Sequence, residues 1–159
     1  EHVRAHFDPV DAGDRRRYLD RLTISVAIAG HNEADAIERC LRSLGEQTRR
    51  IDEIIFIDDG STDGMREIIH KYRELGKIDI ALCNQVRSGK SASCNMGFKF
   101  AKGDIIINLD ADCSYDCDAI EKLIEPFTDP LVGASTGALG VRNYDQSVIT
   151  GYQAIEYIF

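Results

Sequence analysis

The sequence predicts an α/β fold, a Rossmann-like and mainly parallel sheet with helices on both faces. Three observations predict it. Apolar runs of strand length alternate with segments of helical period along the chain. The runs are nearly continuous instead of alternating polar and apolar, which is the pattern of strands covered on both faces. The residues suited to chemistry fall just after those runs, and a parallel sheet gathers such exits along one edge.

Residues 1–22 are polar, and Pro9 and Gly13 interrupt any long helix, so they are expected to form an N-terminal arm with a short helix near residues 15–21. Residues 23–29 are a nearly uninterrupted apolar strand. Residues 34–44 then place Ala36, Ile37, Cys40, Leu41 and Leu44 at helical spacing. A second strand is expected over 53–57, and a helix over 62–75 with Met65, Ile68, Ile69 and Tyr72 on one face. A third strand follows at 78–83, a helix at 90–101, a fourth strand at 104–109 and a helix at 116–127. Residues 132–135 are expected to add a further strand and 146–159 a last amphipathic helix. The apolar stripe Tyr152, Ile155, Ile158 and Phe159 runs to the last residue uncapped, the expectation for a piece of a longer polypeptide.

With 159 residues, 43% hydrophobic and 29% charged, the chain has the composition of one globular domain able to bury a core. Its net charge of −8 comes from the part after the arm, where acids outnumber bases. That balance argues against a nucleic-acid partner, whose phosphates need a basic surface. Five cysteines, an odd number without framework spacing, point to free thiols and a reducing compartment. Cys113 and Cys117 lack the further ligands that a tetrahedral zinc site requires. No apolar stretch is long enough to span a bilayer, and the N-terminus has no apolar signal core.

The fourth strand exit is the most informative. Asp110 and Asp112 are two residues apart, and side chains at i and i+2 of an extended segment share a side. Two hard oxygen donors there suit Mg²⁺ or Mn²⁺, ions that in turn hold a diphosphate. At the first exit, Gly30-His31-Asn32-Glu33, Asn32 is suited to cap the following helix. At the second, Asp58-Asp59-Gly60-Ser61-Thr62-Asp63-Gly64, the turn calls for Gly60, and Ser61 or Thr62 is suited to cap the next helix. Neither task needs the adjacent carboxylates Asp58 and Asp59, and one of these can accept the N–H of a pyrimidine. The same run matches part of an EF-hand loop, but His70 stands where the bidentate Glu belongs. Arg87-Ser88-Gly89-Lys90-Ser91 looks like the end of a P-loop, yet Asn84 occupies the position of its first glycine. Lys90 can still offer a point charge to phosphate, and Asn95 lies one turn into the helix beside it.

Together SVAIAGHNE (25–33), SLGEQT (43–48), EIIFIDDGSTDG (53–64), RSGKSASCNMGF (87–98) and AKGDIIINLDAD (101–112) resemble glycosyltransferase family 2, nucleotide-sugar enzymes of the GT-A fold. The resemblance runs from Thr23 to about Val141 and implies a nucleotide-sugar-binding subdomain over 23–141, with 142–159 opening an incomplete acceptor-side region. It implies that Ala29, His31 and Glu33 line a uridine pocket, that Asp59 accepts from the uracil ring with Asp58 supporting it, and that Lys90 lies over base and phosphates with Asn95 bracing its loop. Asp110 is then expected on the ribose side, and Asp112 as ligand of the Mg²⁺ or Mn²⁺ bridging the diphosphate of a UDP-sugar. His31 stands where Tyr or Phe is more usual, and Gly30 where Ala or Thr is common.

The family's acidic general base is expected beyond Phe159, so no catalytic base is assigned within the chain. The last segment, 133–157, resembles the membrane-integrated, polymerising branch, which implies a cytoplasmic catalytic domain of an integral membrane protein extending a glycan acceptor. Two other readings compete. A non-catalytic nucleotide-binding or regulatory module would lack the downstream acid altogether. A sugar nucleotidyltransferase would need a Gly-rich basic signature after the first strand, which Gly30-His31-Asn32-Glu33 is not.

Overall fold

Four apolar runs become four parallel strands, and their burial decides their order. The computed structural model describes residues 12–129, 131–138 and 140. Strand β1 (Ile24–Gly30) is covered almost throughout, with Ile24, Val26 and Ile28 fully buried. It therefore takes a central place, between β2 (Glu53–Asp58) and β4 (Ile105–Asp110), with β3 (Ile80–Cys83) outside β2. All three pairings are parallel. The register aligns the exits: Gly30 pairs with Asp58, Ala29 with Asp110 and Asp58 with Cys83. What the sequence places at four strand ends is thus delivered to one edge.

Helices cover both faces, as the continuous apolar strands require. On one side lie α2 (Ala34–Gly45), α3 (Met65–Glu74) and α5 (Ala119–Ile124), packing Ile37, Leu41, Ile69, Ile120 and Ile124 with Ile28 and Phe56. Each such fully buried side chain contributes roughly 1.5–3 kcal/mol. On the other side α4 (Lys90–Phe100) packs Cys94 against Ala29, Ile55 and Ile57. Small residues let α4 approach closely: a Cβ on Gly97 would come within 2.7 Å of Ile57 Cδ1. Helix α1 (Ala12–Arg21) precedes the sheet and is tied to it by Arg49, whose Nη2 donates to the carbonyls of Leu19 and Leu22.

The opposite edge of the sheet absorbs part of the acidic excess. The residue just before each of β2, β3 and β4 is an aspartate, and each accepts from a neighbouring strand start. Asp52 takes Ile24 N at 2.9 Å, Asp79 takes Ile54 N at 2.7 Å, and Asp104 takes both Thr23 N and Thr23 Oγ1. These bonds hold the Asp104 carboxyl below its ordinary range.

Three expectations change. Residues 132–135 do not form a strand; 131 and 133–138 are exposed, and Gly133 and Gly137 leave too little side chain to bury. Their contact with the core is Ser135 Oγ donating to Leu123 O at 2.6 Å. The expected helix at 116–127 divides into α5 and a 3₁₀ turn, Glu125–Thr128, because Pro126 has no N–H to continue an α-helix. Helix α3 begins at Met65, not Thr62, since Gly64 sits at φ 91°, a left-handed geometry that ends the preceding turn. The helix expected at 146–159 lies outside the described residues. Among the described residues no helix is long and apolar enough to cross a membrane.

Candidate functional site

The four exits surround a cavity of about 200 Å³ at the carboxyl edge of the sheet. Ala29, His31 and Glu33 enter it from β1, Asp59 from β2, Lys90 from the start of α4, and Asp110 and Asp112 from β4. Of the residues singled out by sequence, Asp58 and Asn95 do not line it. Gly30, Arg87 and Ala111 do, and were not assigned a place there.

At the first exit Asn32 does not cap α2. It adopts φ 58°, and its Oδ1 accepts Thr62 N at 2.8 Å while its own N–H donates to Ser61 Oγ. The cap comes from the next loop: Asp63 Oδ2 accepts Ala34 N at 2.8 Å, and its Oδ1 accepts Met65 N at 3.1 Å. One carboxylate thus serves the starts of both α2 and α3, where the helix dipoles favour negative charge. It also accounts for the acid that gave the run its likeness to a calcium loop, and it displaces Ser61 and Thr62 from the capping role.

His31 Nδ1 lies 3.0 Å from Asp59 O. A carbonyl only accepts, so this assigns the proton to Nδ1 and leaves Nε2 as the second ring nitrogen. The Glu33 carboxyl is pushed up, first by burial and then by the charges of Asp112 and Asp63.

The two acids of the second exit have separate tasks. Asp58 is fully buried; Oδ1 accepts Ser61 N at 2.8 Å and Oδ2 accepts Arg66 Nε at 2.9 Å. Arg66 also donates to Asn84 O, so Asp58 fastens α3 to the end of β3. Asp59 instead holds the loop before α4. Its Oδ1 accepts Ser88 N, Ser88 Oγ and Asn84 Nδ2, and its Oδ2 accepts Gly89 N at 2.8 Å. Burial pushes this carboxyl up, but the hydrogen bonds from Ser88 and Asn84 outweigh it and hold it well below the usual carboxylate range. Oδ2 keeps acceptor capacity toward the cavity. Gly60, at φ 74°, lets this loop come close: a Cβ there would sit 2.9 Å from Arg87 N.

The loop so held brings Lys90 Nζ to 2.6 Å from Asp110 Oδ1, a pairing that raises the lysine pKa. Asn95, expected to brace this loop, is exposed on α4. Asn84 and Ser93 do the bracing instead, with Asn84 Nδ2 within 2.9 Å of Ser88 Oγ and 3.3 Å of Ser93 Oγ.

Beyond β4, one ligand atom each from Asp110, Asp112 and Cys113 lies within 4.8 Å of the others. Cys113 Sγ is 3.5 Å from Asp112 Oδ1, and burial followed by the Asp112 charge pushes the thiol up. Lys90 occupies one oxygen of Asp110, leaving its other oxygen and the exposed Asp112 as hard donors. This donor set fits a divalent cation that keeps several waters, which is how Mg²⁺ and Mn²⁺ are usually held. Between the two acids Ala111 is buried, and a Cβ on Gly30 would approach it to 2.7 Å. Gly30 is therefore matched to the D-x-D segment.

The description Glycosyl transferase family 2 matches this chain over residues 25–157, a span that takes in every exit. Poly-beta-1,6-N-acetyl-D-glucosamine synthase of Staphylococcus aureus (strain MSSA476) is 38% identical over 135 residues, 84% of this chain and 32% of the synthase. The chain thus spans well under half the length of that relative. Among solved structures, the mannosyltransferase PcManGT from Pyrobaculum calidifontis in complex with GDP-Man and Mn²⁺ aligns at a TM-score of 0.65 and 25% identity, over 76% of this chain and 40% of that one. GalNAc-T7 with UDP, GalNAc and Mn²⁺ aligns at 0.60 and 31% identity, over 67% of this chain and 21% of its own. With its α/β sheet of the GT-A kind and a match along most of its length, the chain belongs to glycosyl transferase family 2.

Proposed function

We propose that this chain forms the donor half of an inverting glycosyltransferase that moves a sugar from a UDP-sugar to a growing glycan. The observation that carries the reading is the convergence of Asp59, Lys90, Asp110 and Asp112 on one cavity at the carboxyl edge of the sheet. Asp59 Oδ2 accepts from the uracil N–H, the His31 ring covers the base, and Ala29 and Glu33 complete the nucleoside pocket. Asp110 faces the ribose, while Lys90 and Arg87 meet the phosphates. Asp112, with the second oxygen of Asp110, holds Mg²⁺ or Mn²⁺; when bound, that ion neutralises the charge that develops on departing UDP. Asp58 acts indirectly, by fixing the turn that carries Asp59.

In the reaction an acceptor hydroxyl oxygen bonds to the sugar C1 as the bond from C1 to the diphosphate oxygen breaks. The hydroxyl proton passes to an acidic residue that the family resemblance expects beyond Phe159. The GlcNAc polymer named for the Staphylococcus aureus relative supports UDP-GlcNAc as donor, and the UDP and Mn²⁺ complex of GalNAc-T7 supports the nucleotide and ion. A parent embedded in a membrane, with this domain on the cytoplasmic side, is the reading that the resemblance of the last segment to the polymerising branch supports.

Titration calorimetry tests the donor site. UDP is expected to bind in the presence of Mn²⁺ and far more weakly without it, while UDP-GlcNAc is not turned over by the isolated chain. Asp112→Ala should abolish the metal dependence; UDP affinity unchanged in that variant would remove Asp112 from the metal site.

A further inference from the structure

Resting on that reading of the metal-diphosphate site, we propose that Tyr115 is its positioning residue, fixing the D-x-D segment through the main chain of Asp110. The Tyr115 hydroxyl accepts Asp110 N at 3.0 Å and donates to Asp110 O at 2.9 Å. A phenol has one proton to give and lone pairs to receive, so this one hydroxyl bonds both main-chain polar groups of Asp110. Among the described residues β4 pairs only with β1, and Asp110 is its last residue. The Asp110 carbonyl also accepts Cys113 N at 3.4 Å and Cys40 Sγ at 3.7 Å, and the Tyr115 hydroxyl is the shortest of these three contacts.

Tyr115 is itself anchored. Its ring packs against the core cluster beneath α2, and its N–H donates to Ser43 Oγ at 3.1 Å. Ser43 Oγ in turn donates to Cys40 O at 2.8 Å, within α2. Two further bonds extend the brace along the segment: Gln47 Nε2 donates to Asp116 O, and Thr48 N to Cys117 O at 2.7 Å. The SLGEQT run at the end of α2 therefore holds the chain that leaves the D-x-D pair, a role its sequence does not announce. With Lys90 on the Asp110 side chain and Tyr115 on its main chain, the carboxylate is fixed from both ends.

Tyr115→Phe keeps the packed ring and removes only the hydroxyl. The expected result is a split: affinity for UDP with Mn²⁺ falls about tenfold, while affinity for uridine, which meets Asp110 through its ribose but has no phosphate to meet the ion, falls only about twofold. Ser43→Ala, which loosens Tyr115 at its other end, is expected to show the same split at about threefold, and it serves as the deciding variant if Tyr115→Phe does not fold. Equal weakening of uridine and of UDP with Mn²⁺ would mark Tyr115 as merely structural and overturn the proposal. So would unchanged Mn²⁺-dependent UDP binding in both variants, with the donor-site reading left standing. Failure of the unaltered chain to bind UDP with Mn²⁺ would overturn that reading and this proposal together.

Discussion

Lys90 Nζ and Asp110 Oδ1 are 2.6 Å apart, so the cation of the α4 loop and the first carboxylate of the D-x-D pair neutralise each other before any ligand arrives. Both side chains are substantially exposed, at 61% and 39%, and such a pair is worth at most about 1 kcal/mol. It is strong enough to orient the two groups and weak enough to be exchanged. A diphosphate can take Lys90 while a cation takes the freed oxygen of Asp110.

Opposite effects of one substitution follow from that exchange. In Lys90→Met the competing cation is gone, so Mn²⁺ alone is expected to bind about twofold to threefold tighter. UDP with Mn²⁺ is expected to bind about tenfold more weakly, a loss of roughly 1.4 kcal/mol, because the phosphates lose their partner. Calorimetric titrations with Mn²⁺ alone and with UDP at saturating Mn²⁺ give the two numbers. Weakening of both would mean that Lys90 supports the fold of the loop and not the exchange.

Asp59 ties stability to pH in a direction fixed by its hydrogen bonds. Its folded carboxyl lies well below the usual range, so its contribution is complete above the unfolded value of about 3.9 and is lost as pH falls through the folded value. Asp59→Asn turns an acceptor into an amide against Gly89 N and is expected to cost about 2 kcal/mol at neutral pH. Urea unfolding at a series of pH values should show the two proteins parallel from neutrality down to pH ~4 and converging only in strong acid. Parallel curves all the way into strong acid would contradict this assignment of the charge.

Gly30 tests how tightly β1 abuts the D-x-D segment. In Gly30→Ala the new methyl meets Ala111 Cβ at 2.7 Å and Met65 Cε at 3.1 Å, with about 1–3 kcal/mol of overpacking expected. Ala111 lies between the two acids, so UDP binding with Mn²⁺ should weaken as well. Gly45→Ala, at the end of α2 with nothing within 4 Å of the added carbon, is the control and should be neutral or slightly stabilising by urea unfolding. Equal behaviour of the two variants would deny the close approach.

The strands, their parallel direction and the edge that carries the site were legible because each rests on local sequence. Continuous apolar runs end in acids or glycine, and parallel pairing brings those ends together. The aspartates at positions 52, 79 and 104, which close the opposite edge, were not read from the sequence, which placed 79 and 104 inside strands. What was not legible depends on partners distant in sequence or on helical phase. Asp63 serves Ala34 and Met65 at once, and nothing local distinguishes it from Asn32 as the cap. Asn95 is one turn into α4 but on its outer face, while Ser93, two residues earlier, turns inward to the loop. Asn84 entered the sequence reading only as a mismatch to a phosphate loop, yet it holds Asp59. Tyr115 is five residues from Asp110, near enough to notice, but its role depends on the turn that brings its hydroxyl back onto the Asp110 main chain.

In the proposed function one edge of the sheet holds a nucleoside diphosphate through a metal on the D-x-D acids. Anomalous diffraction from crystals grown with UDP and Mn²⁺, recorded on both sides of the manganese absorption edge, tests it most directly. The expected result is a single manganese peak within about 2.3 Å of an Asp112 carboxylate oxygen, beside the diphosphate, with uracil against Asp59. A manganese peak elsewhere, or UDP bound in this cavity with no manganese beside Asp112, would contradict it.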